Sequence, residues 1–292
     1  MKTQHFFLVS HGSRDPRSSP VLKQLAAEVQ ARLHQALDEG LDQGLHQNLH
    51  QNCNVSTQVW SGVLELAEKP LHQQIEAQIQ AYLGSCNPAV NLTESLSIGI
   101  FPLFLQPGTH VLIDLPRELA LAQKSLDAYS NLDALSQGSS PKHSQPYPLQ
   151  CYSLQCYPYL GAEPTIVNYI RPQLDPSYTW ICIAHGSSRP ETADTFAQLH
   201  QTLGTVPAYL HHPPFLPETI DRLIEQGNDR IGLFPYFLFP GRLTDAIVAT
   251  METYKTQYPA IDWCSLPLLS QQIGFSNFIA SVLWKNAYST SP

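Results

Sequence analysis

The chain has 292 residues, of which 43% are hydrophobic and 14% charged, and its formal net charge is −8. This length accommodates two ordinary domains with their own cores, and the composition excludes a largely disordered chain. The negative charge disfavours nucleic acid and anionic membranes as partners, because both require a positive protein surface. No apolar run approaches the roughly 20 residues that cross a bilayer. The first eleven residues lack the features of a secretion signal, so we expect a cytoplasmic protein without a nucleic-acid or membrane partner.

Short apolar runs alternate with helix-like segments along the chain, which predicts strands and helices in alternation. In the first half we expect strands near residues 6–9, 56–60, 97–105 and 150–157, and helices near residues 20–37, 70–83, 109–128 and 164–174. In the second half we expect strands near residues 179–184, 207–210, 230–239 and 262–266, and helices near residues 191–203, 215–226, 241–257 and 272–285. Apolar strands separated by helices predict parallel sheets that are covered on both faces.

Two motifs occur twice in the same order, which indicates an internal duplication. His11-Gly12-Ser13-Arg14 is echoed by His185-Gly186-Ser187-Ser188-Arg189. Residues 98–108 and residues 231–241 are identical at eight of eleven positions. The expected fold class is therefore α/β, with two homologous domains. Each would contain a four-stranded parallel sheet flanked by helices, with a cleft between the domains.

We expect the two domains to span residues 1–176 and 177–292. The first motif is repeated after 174 residues and the second after 133, so the first domain carries 41 additional residues. Polar, loop-like composition predicts insertions near residues 37–54, 84–95 and 129–148. Residues 37–54 offer no apolar face, so we expect them to be poorly ordered or a peripheral helical extension.

The six cysteines are scattered and include no Cys-x-x-Cys pair. Isolated thiols are the simplest interpretation of such a pattern in a reducing compartment. Cys151 and Cys156 could suggest an iron–sulfur ligand pair, but such clusters require four cysteines at short spacings. We therefore expect no iron–sulfur cluster.

Three potential metal ligands follow the first three predicted strands, namely His11, Glu65 and His110. Ligands of parallel α/β sheets bind beyond the carboxyl ends of the strands, so we expect these side chains to meet in one cleft. Imidazole and carboxylate groups suit divalent first-row metals such as iron, cobalt and nickel. The alternative for each residue taken alone is that it caps a helix or bonds a backbone group.

These motifs resemble those of the sirohydrochlorin chelatases. The resemblance rests on His-Gly-Ser-Arg after the first strand, on Leu-Glu-Leu-Ala-Glu-x-Pro at residues 64–70, and on Pro-Leu-Phe-Leu…Gly-x-His…Asp-x-Pro at residues 102–116. It implies a class II tetrapyrrole chelatase of the long form, with both halves in one chain. Such a lyase inserts Fe²⁺ for siroheme or Co²⁺ for cobalamin into sirohydrochlorin, and Ni²⁺ is a further metal substrate to consider. No nucleotide or other cofactor is implied.

The resemblance further implies that His11, Glu65 and His110 bind the metal and act in catalysis. The second half lacks a complete set of these ligands. His185 retains the first position and His211 takes the glutamate position. Leu243, or Arg242 after a one-residue shift, stands where His110 would be. We therefore expect one metal site per chain, in the first half, and a monomer because the halves are already fused.

Sirohydrochlorin carries carboxylates, which require cationic or hydrogen-bonding partners. The residues expected to bind it are Ser13, Arg14, Arg117, His185, Ser187, Arg189 and Arg242. For each arginine the alternative is a solvated surface side chain.

The main alternative function is a non-catalytic metal or tetrapyrrole carrier, which would use the same two-lobed cleft without accelerating insertion. Phosphohistidine phosphatases also have His-Gly after a first strand, but they carry arginine before the histidine, where this chain has Ser10. His46, His50 and Cys53 have a spacing that suits metal storage, although a Gln/His-rich loop is the simpler interpretation.

Overall fold

Each half of the chain forms a four-stranded parallel sheet in the computed structural model, which describes residues 4–42, 57–85, 96–136, 152–186 and 190–288. The first sheet contains β1 (Gln4–Ser10), β2 (Val59–Val63), β3 (Leu96–Pro102) and β4 (Tyr152–Cys156), in the order β2-β1-β3-β4. The second contains β5 (Thr179–Ala184), β6 (Val206–Tyr209), β7 (Arg230–Pro235) and β8 (Asp262–Ser265), in the order β6-β5-β7-β8. The identical orders confirm the predicted α/β fold with two homologous halves.

Helices connect the strands in both halves. Those of the first half are α1 (Ser18–Asp42), α2 (Leu71–Ser85), α3 (Leu115–Ser136) and the short α4 (Ile166–Ile170). Those of the second half are α5 (Pro190–Leu203), α6 (Leu216–Glu225), α7 (Arg242–Gln257) and α8 (Phe275–Tyr288). No helix within these ranges has the length and apolarity needed to span a membrane.

The helices and sheets stack in layers that share a central core. On β1, Phe6 and Leu8 face this central core, whereas Phe7 and Val9 face α2 and α3 on the outer side. Trp180 of β5 belongs to the same central cluster, together with apolar residues of α1, α5 and α8. The outer face of the second sheet is covered by α6 and α7. Because helices cover both faces of each sheet, the strands β1, β3, β5 and β7 are almost entirely buried, whereas the edge strands β4 and β8 are partly exposed.

The expected ends of the two motif-bearing strands are wrong. Residues 97–105 and 230–239 were predicted as continuous strands, but β3 ends at Pro102 and β7 ends at Pro235. Leu103 and Tyr236, directly after these prolines, still donate to Val9 and Ile183 of the neighbouring strands, and the apolar residues that follow leave the sheet. These residues instead form the walls of the cleft between the halves.

The helices of the first half extend into two of the predicted insertions. Helix α1 continues to Asp42, and α3 continues to Ser136. Gly84 and Ser85 end α2 rather than beginning a loop. The remainder of the three insertions lies outside the described residues. The insertion predicted near 129–148 precedes β4, and β4 pairs with β3 of the first sheet.

Candidate metal centre

The ends of β1 and β2 bring His11 and Glu65 together. The two strands pair as far as Ser10 and Val63, and the backbone N–H of Glu65 donates to the carbonyl of His11 over 2.9 Å. Between them, Gly12 has a φ of +100°, and a Cβ atom there would lie 2.0 Å from the Glu65 carbonyl oxygen. Only glycine fits this position. The His-Gly sequence therefore lets the loop lie against the Glu65 backbone.

His110 begins a π-helical turn, His110–Asp114, that leads into α3. The N–H of Leu115 donates to the carbonyl of His110 five residues earlier, which is the π-helical pattern. Single π-helical turns occur frequently at functional sites. Inside this turn, Nδ1 of His110 lies 2.9 Å from Oδ2 of Asp114. Sequence analysis did not identify Asp114 as a partner, although its i,i+4 spacing from His110 was a usable signal.

The three predicted ligands form one cluster at the carboxyl edge of the first sheet. Nε2 of His11 lies 3.9 Å from Oε2 of Glu65, and Nδ1 of His110 lies 3.4 Å from Oε1 of Glu65. The two imidazole rings have centroids 4.4 Å apart and are nearly perpendicular. One ligand atom from each residue can be chosen so that all three lie within 4.8 Å of one another. All three side chains are at least one-third exposed, so an ion can reach them from solvent.

Hydrogen bonds determine which imidazole nitrogen faces an ion. Nδ1 of His11 lies 3.1 Å from the carbonyl oxygen of Gly12. A carbonyl oxygen can only accept, so Nδ1 of His11 carries the proton and Nε2 keeps its lone pair. The Asp114 carboxylate orients His110 in the same way. Metal-binding histidines commonly show this arrangement, in which one ring nitrogen donates to an oxygen and the other binds the ion.

A cleft of about 620 Å³ lies between the two halves and includes His11 in its lining. Its walls are the apolar segments that follow Pro102 and Pro235, including Phe104, Leu105, Phe237 and Phe239. Leu66 also lines it and is 54% exposed, with a φ of +60° that is unusual for a side chain of this size. The cleft therefore has apolar walls and reaches the ligand cluster through His11, whereas Glu65 and His110 are not part of its lining.

The residues predicted to bind the tetrapyrrole are only partly brought together. Ser13, Arg14, His185 and Arg242 line the cleft. Arg117 does not; it is exposed on α3, whose buried residues face the outer side of the sheet. Ser187 and Arg189 lie outside the described residues.

Ser13 caps a loop turn rather than the following helix. Its Oγ accepts a hydrogen bond from the N–H of Asp15 over 3.0 Å, and α1 begins only at Ser18. A turn that contains Pro16 separates Ser13 from the first helical residue. This turn holds the His11 loop at the cleft.

Two contacts across the cleft join the halves near this turn. Arg17 lies 2.7 Å from Oδ2 of Asp245 and 2.6 Å from Oδ2 of Asp15, and Oγ of Ser18 donates to the carbonyl of Pro240 over 2.9 Å. Hydrogen bonds from Arg17 lower the pKa of Asp15 to about 2. The sequence alone did not indicate these contacts, because no local pattern pairs Arg17 with Asp245, which is 228 positions away.

The second half repeats the backbone of the site with different side chains. The N–H of Leu210 donates to the carbonyl of Ala184, just as that of Leu64 donates to Ser10. This register makes His211 the counterpart of Glu65. Pro235 of β7 pairs with Ile183 of β5, as Pro102 of β3 pairs with Val9 of β1. Counting forward from the two prolines without a gap makes Leu243, rather than Arg242, the counterpart of His110. In the described part of the chain, only the first half presents a cluster of three ligand-type residues.

Comparison with protein families gives one family for both halves. The model of the CbiX family matches residues 5–176 and residues 179–287. No curated protein matches the chain significantly.

Several solved structures resemble the whole chain. SirB from Bacillus subtilis with Fe³⁺ is 18% identical, with a TM-score of 0.61 over 98% of this chain and 96% of that chain. The sirohydrochlorin chelatase SirB from Bacillus subtilis subspecies spizizenii in complex with cobalt is 19% identical, with a TM-score of 0.57 over 98% and 95% of the two chains. CbiX, described as the terminal enzyme for siroheme biosynthesis in denitrifying bacteria, is 16% identical, with a TM-score of 0.54 over 97% and 99%. At these identities the likeness establishes the fold.

Proposed function

The chain belongs to the CbiX family, as its resemblance to the sirohydrochlorin chelatases predicted, and from this premise we propose that it inserts a divalent metal into sirohydrochlorin. Its metal substrate is Fe²⁺, for siroheme, or Co²⁺, for cobalamin. The observation that carries this proposal is the cluster of His11, Glu65 and His110, whose His11 lines a cleft of about 620 Å³. The iron and cobalt named for the two SirB structures support the choice of metals.

The proposed ligands suit an ion that must be released again. Two imidazoles and one carboxylate bind Fe²⁺ and Co²⁺, whereas a closed thiolate site would retain them. Three protein ligands leave coordination positions for the pyrrole nitrogens of the tetrapyrrole. The ion can then pass from protein to macrocycle in steps, each of which replaces one ligand by another.

Metal insertion releases two protons from the pyrrole N–H groups, and the same cluster offers bases to accept them. Glu65 lies within 4 Å of both His11 and His110, so three potential proton acceptors stand side by side. As metal leaves His11 or His110, the freed nitrogen regains its lone pair and can accept a proton. Solvent access at the exposed side chains then returns both protons to water.

The cleft provides complementary surfaces for a flat macrocycle with a charged rim. Phe104 and Leu105 from one half and Phe237 and Phe239 from the other line the cleft, and these apolar walls suit the faces of the ring. Arg14 and Arg242 lie on the same cleft and would bind the peripheral carboxylates. We propose that the first half, residues 1–176, supplies the metal ligands, that residues 177–292 close the cleft, and that the chain acts as a monomer with one insertion site.

The test is an anaerobic insertion assay with sirohydrochlorin and Fe²⁺, Co²⁺ or Ni²⁺, followed by the change in absorbance of the tetrapyrrole. We expect the chain to accelerate insertion of Fe²⁺ and Co²⁺ above the rate without protein, and Glu65→Gln to lose this acceleration. If the chain binds both metal and sirohydrochlorin but leaves the rate unchanged, it is a carrier and the proposal is wrong.

A further inference from the structure

A pair of histidines occupies the second half at the place where the first half carries His11 and Glu65. His185 follows β5 directly, and His211 lies two residues beyond β6. Their ring centroids are 4.6 Å apart, with an angle of 55° between the planes. His185 lines the same cleft as His11.

The spacing of this pair matches two imidazoles on one ion. With metal–nitrogen bonds of about 2.1 Å, two imidazoles on a single ion have centroids about 4.6 Å apart at an angle of about 90° and about 5.3 Å apart at the tetrahedral angle. The corresponding distance between His11 and His110 in the first half is 4.4 Å. Both members of the second pair are exposed, so an ion can reach them from solvent.

The hydrogen bond of His185 leaves the appropriate nitrogen free. Its Nδ1 lies 2.9 Å from the carbonyl oxygen of Gly186, as Nδ1 of His11 does from that of Gly12. Because this oxygen can only accept, Nδ1 of His185 carries the proton and Nε2 keeps its lone pair. The tautomer is thus already the one that binds a metal.

Packing beneath the pair restricts movement of the loop that carries His185. Gly186 has a φ of +93°, and the ring of His212 lies so close that a Cβ atom on Gly186 would be 2.7 Å from it. His212 in turn stacks on Tyr209 with centroids 4.0 Å apart, and Tyr209 is paired with Ala184 of β5. This support reduces the entropy that an ion would otherwise have to overcome in ordering its ligands.

We propose that His185 and His211 form a second divalent-metal site, separate from the cluster in the first half. Two neutral imidazoles without a carboxylate favour the late first-row ions Ni²⁺, Cu²⁺ and Zn²⁺ over harder ions such as Mg²⁺. Leu243 stands where a third ligand would be, so the remaining coordination positions are filled by water and binding is weaker than at the first site. This site goes beyond the proposed insertion reaction, because it requires no tetrapyrrole.

The test is calorimetric titration of the full chain with Ni²⁺ in a background that lacks the first site, His11→Ala with His110→Ala. We expect adding His185→Ala or His211→Ala to remove one equivalent of bound Ni²⁺. His200→Ala, which removes a histidine on α5, is the matched control and should leave the stoichiometry unchanged. An unchanged stoichiometry in both the His185→Ala and the His211→Ala variants would overturn the proposal.

Two further variants guard against loss of binding through misfolding. His211→Glu reproduces the ligand type of the first half and should restore binding that His211→Ala removes. Leu243→His supplies the missing third ligand and should lower the Kd for Ni²⁺. Failure of both variants to bind Ni²⁺, with thermal unfolding unchanged, would also contradict the site. The titration contains no sirohydrochlorin, so it tests the second site independently of insertion. A chain that binds this Ni²⁺ but does not accelerate insertion would refute the proposed function and leave the second site standing.

Discussion

His110 and Asp114 are held in one π-helical turn, with Nδ1 of the histidine 2.9 Å from Oδ2 of the aspartate. The carboxylate accepts the Nδ1 proton of His110, which fixes the ring and leaves the lone pair on Nε2. Asp114 contacts His110 and is not one of the three clustered ligand-type residues, so we assign it a positioning role.

Asp114→Asn is therefore expected to lower the Co²⁺ affinity and the insertion rate about 10- to 100-fold, the usual effect of removing such a partner. Co²⁺ titration followed by visible absorption measures the affinity. Asp127→Asn is a matched control, because Asp127 also accepts a side-chain hydrogen bond from a residue four positions away, Gln123, on the same helix. Equal Co²⁺ affinities in the two variants would show that Asp114 does not support metal binding.

Leu66 is expected to contact the tetrapyrrole, and two substitutions separate this contact from backbone strain. Leu66→Gly and Leu66→Ala both remove the apolar side chain, so each should raise the KM for sirohydrochlorin about tenfold. Only glycine accepts a φ of +60° without strain, so Leu66→Gly should be more stable than Leu66→Ala by about 1 kcal/mol. Steady-state kinetics and urea unfolding measure the two effects. An unchanged KM in both variants would show that Leu66 does not touch the substrate.

His5 is expected to make the fold sensitive to mild acid. It is fully buried at the start of β1 between the rings of Trp60 and Tyr82, and its Nδ1 accepts the N–H of Gln58 over 3.0 Å. Burial lowers the pKa of His5 from 6.5 to about 4. Between these values the unfolded chain binds a proton that the folded chain excludes, so stability is complete above about pH 6.5 and is lost as the pH falls towards 4.

Urea unfolding at pH 7.5 and pH 5 measures this effect. The contribution of His5 should decrease by about 2 kcal/mol between the two pH values. His5→Phe keeps the ring stacking but cannot be protonated. It loses the acceptor for Gln58 at every pH, so its stability should be lower at pH 7.5 and should fall less on acidification. An identical pH dependence in the two proteins would contradict the assignment.

Much of the fold could be predicted because the sequence repeats itself. Two matched motifs in the same order, each after an apolar run, imply two similar sheets, and the strand ends then bring His11, Glu65 and His110 to one edge. Local patterns could not reveal that β3 and β7 end at proline, because the apolar residues beyond it resemble a continued strand. Those residues are apolar because they form the cleft walls.

The contacts between the halves could not be predicted in the same way. Arg17 and Asp245 pair only because the two sheets pack around a common core, and no periodicity encodes that packing. The expected position of Arg117 at the cleft was wrong for a related reason. Its distance from His110 along the chain is short, but α3 buries Leu115 and Leu119 against the outer face of the sheet and leaves Arg117 exposed, away from the cleft.

The central claim is that the first half performs insertion, and the structural equivalence of His110 and Leu243 provides a direct comparison. The decisive measurement is the rate of Co²⁺ insertion into sirohydrochlorin by His110→Ala and by Leu243→Ala, with thermal unfolding as the control for folding. Loss of a ligand that also accepts a proton should slow His110→Ala about 10²- to 10⁴-fold, whereas Leu243→Ala should remain within a few-fold of the unmodified chain. Equal rates in the two folded variants would contradict the account.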